Sequence, residues 1–254
     1  MIKTEKNVHG TRLITVWFAQ DEIDEDGIIQ YKESAGRFGD AVPFDTLVSD
    51  LNGSDEDIRS RFTKGCKYKV NRAYREDIDF VIIDSTDITD GLLNEFLDFF
   101  EDFWKSKDTV LDNRGSLLGE MKDYIRQGAL TIAYATVSGA KAVYHTHIYD
   151  DRTARLLHSA SLFRLKDSDS GNDRNIIGMA NRALHFEEMK YFRSKGLTVY
   201  DWGGAGKGED VASITEFKES FGGTPVTFYD STVVNGTRAK LVSSLSEIKH
   251  RIKG

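Results

Sequence analysis

The residue types best suited to chemistry crowd into one stretch of this chain. Tyr200-Asp201-Trp202 is followed by Gly203, Gly204, Gly206 and Gly208, and then by Ser213-Ile-Thr-Glu216 and Phe217-Lys218-Glu-Ser-Phe221-Gly222-Gly223. Glycines admit positive φ and let the backbone approach a bound group closely. Asp201 could accept a proton, or it could fold back onto the N–H groups of the loop as an Asx-turn. Two phosphate cradles are excluded. A P-loop, G-x-x-x-x-G-K-[ST], requires Ser or Thr after the lysine, but Lys207 is followed by Gly208 and Asp201 stands at the first glycine position. The dinucleotide fingerprint G-x-G-x-x-G is one residue longer than Gly204-Ala-Gly206-Lys-Gly208.

Histidines form a second group. If Asp150-Asp151 makes a symmetric turn, Val143 opposes His158 and His145 opposes Leu156, so His145, His147 and His158 share one sheet face. Three such imidazoles could hold Zn²⁺ or supply a base, with His158 the candidate base. Packed, hydrogen-bonded core histidines are the plainer alternative, and no metal is expected. A third group is basic: Arg59, Arg61, Lys64, Lys67, Lys69, Arg72 and Arg75 follow one another with no acid between them. They form either a solvated helix face or an anion site. No G-x-S-x-G elbow is present, and Cys66 has no evident catalytic partner, which argues against a hydrolase.

These residues need a scaffold. The chain has 254 residues, 30% charged and 39% hydrophobic, with a formal net charge of −7. That is an ordinary globular composition with enough length for a substantial core. The charge argues against broad nucleic-acid binding but leaves room for a local basic groove. A single cysteine, no apolar signal region and no long apolar run point to a cytoplasmic protein.

In order, Thr11–Ala19 and Ile28–Lys32 read as a hairpin across an acidic turn, and residues 36–43 as loop. Ser54–Arg75 reads as helix interrupted near Gly65. Phe80–Ile83 is a strand. Asp90–Trp104 carries the stripe Leu93, Phe96, Leu97, Phe100, Phe103 and Trp104 of an amphipathic helix. Leu117–Gln127 is a further helix. Ala129–Val137, Lys141–Tyr149 and Thr153–Phe163 form a three-stranded meander, and Asn175–Lys195 a long helix. Leu197–Trp202 is a buried strand. The spacing of Ser213 and Glu216 places a helix start near Ile214, with Ile214, Phe217 and Phe221 on one face. Leu241, Leu245, Ile248 and Ile252 make a helical stripe at the end.

Tyr200-Asp201-Trp202-Gly203-Gly204, a loop, and Phe217-Lys218-x-x-Phe221-Gly222-Gly223 resemble the YDxGG … FKxxFGG signature of FemAB-like acyltransferases of the GNAT superfamily. Lys67-Tyr-Lys-Val-Asn-Arg72-Ala is similar to that family's RxxIRKA helix. The resemblance covers about residues 44 to 230 and implies an α+β fold: a mixed, mostly antiparallel sheet flanked by helices. Residues 1–50, too few for a second such domain, are expected as a β-extension, 51–235 as a single catalytic domain, and 236–254, from its apolar stripe, as an amphipathic helix that could pair with another copy. The resemblance implies acyl or aminoacyl transfer from acyl-CoA or aminoacyl-tRNA to an amine. The acceptor is expected to be a nucleotide-linked amino sugar or other cell-envelope precursor. A binding module that keeps the fold without the chemistry is the rival.

By the same resemblance Lys218 lies near the reacting centre, where otherwise it would be a surface lysine beside Glu219. Asp201 and His158 are the candidate proton acceptors. Gly203, Gly204, Phe217, Lys69 and Arg72 are the candidate donor-binding residues. The acyl group is expected where the third meander strand parts from the strand after the long helix. Arg174-Asn-Ile-Ile-Gly178-Met-Ala180 only partly matches the GNAT pyrophosphate motif R/Q-x-x-G-x-G/A.

Overall fold

The structure is a computed structural model that describes residues 1–109, 111, 113–162, 171–205 and 209–244. The chain forms two compact units, one of residues 1–46 with 226–254 and one of residues 47–225. The last strand groups with the amino-terminal strands rather than with the larger unit.

The smaller unit holds β1 (Ile2–Val8), β2 (Thr11–Trp17), β3 (Gly27–Ser34) and most of β10 (Thr224–Asn235), hydrogen-bonded in the order β1-β2-β3-β10. Sequence reasoning missed β1. It also expected β2 and β3 to pair as a hairpin, but they run parallel, with Leu13 beside Ile28 and Trp17 beside Lys32. The acidic connection is no tight turn. Glu25 is drawn back to Arg12 of β2 at 2.8 Å and to Lys3 of β1, and the Ile23 N–H donates to the Tyr31 hydroxyl at 2.8 Å. The loop thus recrosses the strands before β3 begins. Ile14, Val16, Ile29, Tyr31 and Phe38 form the core of this unit. Residues 237–244 are helical, and Leu241 is 61% exposed, against the burial expected of its stripe. Leu245, Ile248 and Ile252 lie outside the described residues.

The larger unit orders its strands β4-β9-β8-β7-β6-β5. These are β4 (Val42–Asp50), β5 (Ile78–Asp84), β6 (Leu130–Val137), β7 (Ala140–Tyr149), β8 (Thr153–Ser161) and β9 (Val199–Asp201). Neighbouring strands in this order are antiparallel except β8 and β9, which run parallel. The helices are α1 (Asp55–Ser60), α2 (Lys64–Ala73), α3 (Asp90–Lys105), α4 (Arg114–Arg126), α5 (Gly171–Ser194) and α6 (Glu209–Glu219). The single helix expected from Ser54 to Arg75 is two. A capping box of Ser54 and Asp57 opens α1, and the Thr63 side chain accepts the Cys66 N–H to open α2. The break falls at residues 61–63, and Gly65 sits inside α2.

Two helices cover the meander on opposite faces. Leu93, Phe96, Leu97 and Phe100 of α3 are buried, and Phe96 and Phe99 meet Tyr144 of β7. On the other face Ile177, Ala180 and Leu184 of α5 pack on Ala133, Ala135, Ala142 and Val143. Further along α5, Phe186, Met189 and Phe192 join Leu47, Phe62, Tyr200, Trp202 and Phe221 in the main core. Burial of each such side chain is worth about 1.5–3 kcal/mol.

Candidate active site

The site begins where two strands part. β8 and β9 pair only from Thr153 beside Val199 to Arg155 beside Asp201. The next turn is forced open at Gly203, whose φ is +68° and where a Cβ would stand 2.3 Å from the Leu156 carbonyl oxygen. Only glycine fits both demands. Asp201 Oδ1 accepts the Gly203 N–H at 2.8 Å, the Asx-turn alternative of the sequence reading. Asp201 is fully buried and does not line the opening.

Beyond Arg155 the edge of β8 turned toward β9 has no ladder partner among the described residues. A cavity of about 460 Å³ occupies the gap. Leu156, Leu157, Ser159 and Ser161 of β8 line one side, Trp202 and Gly203 another. Helix α5 contributes Gly178, Asn181, Arg182 and His185, and α6 contributes Ile214, Phe217 and Lys218. Ile214 is half exposed, on a side of α6 that looks onto the cavity. The helix starts at Glu209, not near Ile214, so the Ser213–Glu216 spacing falls inside it.

A bulge decides which side chains face inward. His145 stands beside Ser159 and Thr146 beside His158, but His147 stands beside Leu156, so Leu157 is supernumerary in β8. The symmetric pairing expected from Asp150-Asp151 is wrong by this residue and by a longer turn, in which Asp150 N–H donates to the Thr153 carbonyl. The consequence is a correction. His158 turns to the α3 face, against Phe96 and Phe100, with Nδ1 2.8 Å from the Thr146 hydroxyl. Burial pushes it down to about 4. It does not share a face with His145 and His147 and does not reach the cavity between β8 and β9.

His145 and His147 instead meet a buried polar stripe on α5, Asn181, His185 and Glu188. His145 lies with Nδ1 2.7 Å from Glu188 Oε1 and Nε2 2.8 Å from Asn181 Oδ1. The Tyr200 hydroxyl donates to Glu188 Oε2 at 2.8 Å. A phenol has one proton to give. The Tyr200 oxygen must therefore accept from His147 Nε2 at 2.9 Å and from His185 Nδ1 at 2.8 Å. This fixes the tautomers. His185 carries its proton on Nδ1, and Nε2 is left as a lone pair on a residue that lines the cavity, with no partner among the described residues. Burial pushes His185 down to about 3 and His147 to about 4, so both rings are neutral. Burial also works against the Glu188 carboxylate, but its contacts with His145 first, and with His147 and His185, hold it well below the usual range. His145, His185 and Glu188 present ligand atoms within 4.8 Å of one another, near enough for a metal ion. His145 Nδ1, His185 Nδ1 and both Glu188 oxygens are already engaged in the hydrogen-bond network, and the His145 and His185 rings stack at 4.1 Å.

Lys218 is 8% exposed and no surface lysine: it lines the cavity while its ammonium donates to the Gly204 carbonyl. Phe217, beside it, packs under Arg182, whose guanidinium carbon stands 4.5 Å from the ring centroid, and against His185. Lys69 and Arg72 lie exposed on α2 and do not line the cavity. Much of the basic run is committed locally. Arg59 donates to Asn71, Arg61 to the Asp50 and Asn52 carbonyls, Lys67 to the Ser60 carbonyl, and Arg72 to Glu76 and Tyr68. Gly206 and Gly208 lie outside the described residues. Sequence reasoning missed Asn181, Arg182, His185 and Glu188. The available signal was their spacing, which stacks Asn181, His185 and Glu188 on one side of a long helix.

No known family profile matches the sequence, and no curated protein does. Among solved structures the chain is similar to FemX, at 13% identity over 79% of this chain and 63% of that one, with a TM-score of 0.57. It is also similar to a conserved protein of unknown function from Bacteroides thetaiotaomicron VPI-5482, at 13% identity over 76% of this chain and 61% of that one, with a TM-score of 0.50. The chain spans less than two thirds of the length of either. The likeness is one of fold: a FemX-like α+β arrangement with a mostly antiparallel sheet flanked by helices. No helix among the described residues is long and apolar enough to cross a membrane.

Proposed function

We propose that this chain is an N-acyltransferase that moves an acyl, acetyl or aminoacyl group from acyl-CoA or aminoacyl-tRNA to an amine by direct attack. The acceptor belongs to the nucleotide-linked amino sugars and related cell-envelope precursors, and the work is done in the cytoplasm. One observation carries the reading: an unprotonated imidazole nitrogen, His185 Nε2, faces a cavity opened by the parting of two parallel strands.

The amine enters neutral and is held by an N–H···Nε2 hydrogen bond to His185. Its nitrogen bonds to the acyl carbon, and the carbonyl electron pair moves onto oxygen. The Lys218 ammonium and backbone N–H groups on the open edge of β8 are the donors for that oxyanion. Collapse breaks the bond from acyl carbon to the carrier's sulfur or oxygen. A ring with so low a pKa is too weak to deprotonate an ordinary ammonium. The nitrogen of the tetrahedral adduct is far more acidic, and its proton passes to Nε2 as the bond breaks. The leaving thiolate or alkoxide is the final proton acceptor, so protons balance over the cycle. Gly203 and Gly204 shape the opening, Asp201 holds their turn, and Lys69 and Arg72 are the proposed contacts for the carrier's phosphates.

The test is a product screen by mass spectrometry with acetyl-CoA, longer acyl-CoAs and aminoacyl-tRNA against a panel of amines. Amide formation that disappears in His185→Gln, with folding intact, supports the reading. Ligand binding without any product makes the chain a binding module.

A further inference from the structure

Charge of one sign lines the cavity. Lys107, Arg182 and Lys218 are on its wall, and no Asp or Glu is among its described lining residues, in a chain with 41 acidic and 34 basic side chains. Two of these cations have visible engagements. Lys107 stands over Phe103 and Trp104, at 4.0 and 5.0 Å, and Lys218 grips the Gly204 carbonyl. Arg182 differs. Among the described residues its one hydrogen bond is long, 3.5 Å from Nη1 to the Gly178 carbonyl, and it pairs with no acid. Partial burial lowers its pKa. A guanidinium has five N–H donors in a planar fork, and resting on Phe217 leaves that fork open to a planar oxyanion.

Arg182 and His185 are three residues apart on α5, hence neighbours on its surface at about 5–6 Å between Cβ atoms. We infer that Arg182 anchors a carboxylate that the acceptor carries close to its amine, so that the acceptor end seen by this site is that of an amino acid. A carboxylate clamped by the Arg182 fork leaves an amine on the adjoining carbon within reach of His185 Nε2. No acid among the described wall residues holds that amine as an ammonium, which suits a nucleophile that must be neutral. Leu156, Leu157, Trp202 and Phe217 leave an apolar berth for the side chain. The term acceptor rests on the acyl-transfer reading; the carboxylate contact does not.

The experiment titrates the full chain with N-acetyl-L-leucine, N-acetyl-L-leucinamide and coenzyme A by calorimetry. The acid should bind about tenfold to a hundredfold more tightly than the amide, as a charge-assisted contact implies. Arg182→Gln should erase that ratio with melting unchanged, and Arg182→Lys should restore only part of it, because charge returns without the fork. Equal affinity for acid and amide, including no binding of either, overturns the inference, as does a ratio that survives Arg182→Gln. A loss confined to coenzyme A overturns it too, and assigns Arg182 to the donor's phosphates while leaving acyl transfer intact. Acid preference through Arg182 in a chain that forms no amide with any donor leaves the anchor standing and removes the acyl-transfer reading.

Discussion

At the scale of single residues, the tautomer of His185 has a kinetic signature. Because burial holds the ring near 3, its own protonation does not limit turnover at neutral or mildly acidic pH. The acid limb of kcat/KM should instead follow the acceptor, which must shed its proton before it attacks. Amines of different basicity should therefore shift that limb in step with their own pKa values; a limb fixed near 6.5 for all of them would assign the base elsewhere. Lys218 carries a second prediction, and the structure changes it. From sequence, Lys218→Ala should fold normally. But the ammonium is buried on the Gly204 carbonyl, and a hydrogen bond to a charged group contributes about 1.5–3 kcal/mol. Lys218→Ala should lose both turnover and several degrees of melting temperature, and Lys218→Arg should regain part of each. Wild-type turnover in the alanine variant would retire the lysine from the mechanism. The glycines, Lys218 and Phe217 were legible as a constellation because type and spacing mark them. His185 and Arg182 were not, since a lone histidine and arginine inside a long helix look like any others until Tyr200 and Phe217 are set beside them.

At the scale of elements, the cavity depends on strands that stop pairing. Gly203→Ala and Gly196→Ala both place a side chain at positive φ, at +68° and +88°, with an intrinsic cost of about 1–2 kcal/mol. Only position 203 adds a collision, with the Leu156 carbonyl; around Gly196 there is open space. Gly203→Ala should therefore melt well below Gly196→Ala and lose ligand binding, and equal melting losses would refute the wedge. The basic helix is tested separately. Lys69→Glu with Arg72→Glu should weaken donor binding at low salt, and the deficit should fade as salt is added; unchanged constants leave a solvated face. Elements with strong periodicity, α3, α5 and the meander, were readable from pattern alone. The register of β7 against β8 was not, because one supernumerary residue at Leu157 reverses the alternation and leaves no mark in composition. The parallel pairing of β2 and β3 escaped for a similar reason: the ion pairs that pull the acidic loop back join residues far apart in sequence.

At the scale of the whole molecule, buried histidines set the response to acid. His147, His158 and His185 sit at about 4, 4 and 3, against an ordinary 6.5. Below 6.5 the unfolded chain binds protons that the folded one refuses, so stability falls as pH falls from about 6.5 toward 4 and is retained above. Depressed Glu188 adds to the loss in the same direction at lower pH. Melting temperature measured across that window should drop steeply, and a flat profile would mean the polar cluster is open to water. The same molecule also has a timing problem to solve. Its formal charge is −7, yet its cavity wall is cationic. A carboxylate or phosphate ligand is thus repelled at long range and attracted only within the opening. Added salt screens the far field, over a Debye length of about 10 Å at 0.1 M, more effectively than a contact inside the cavity. Arrival of an anionic ligand should accordingly quicken with ionic strength while its residence shortens, so the two rate constants would climb together.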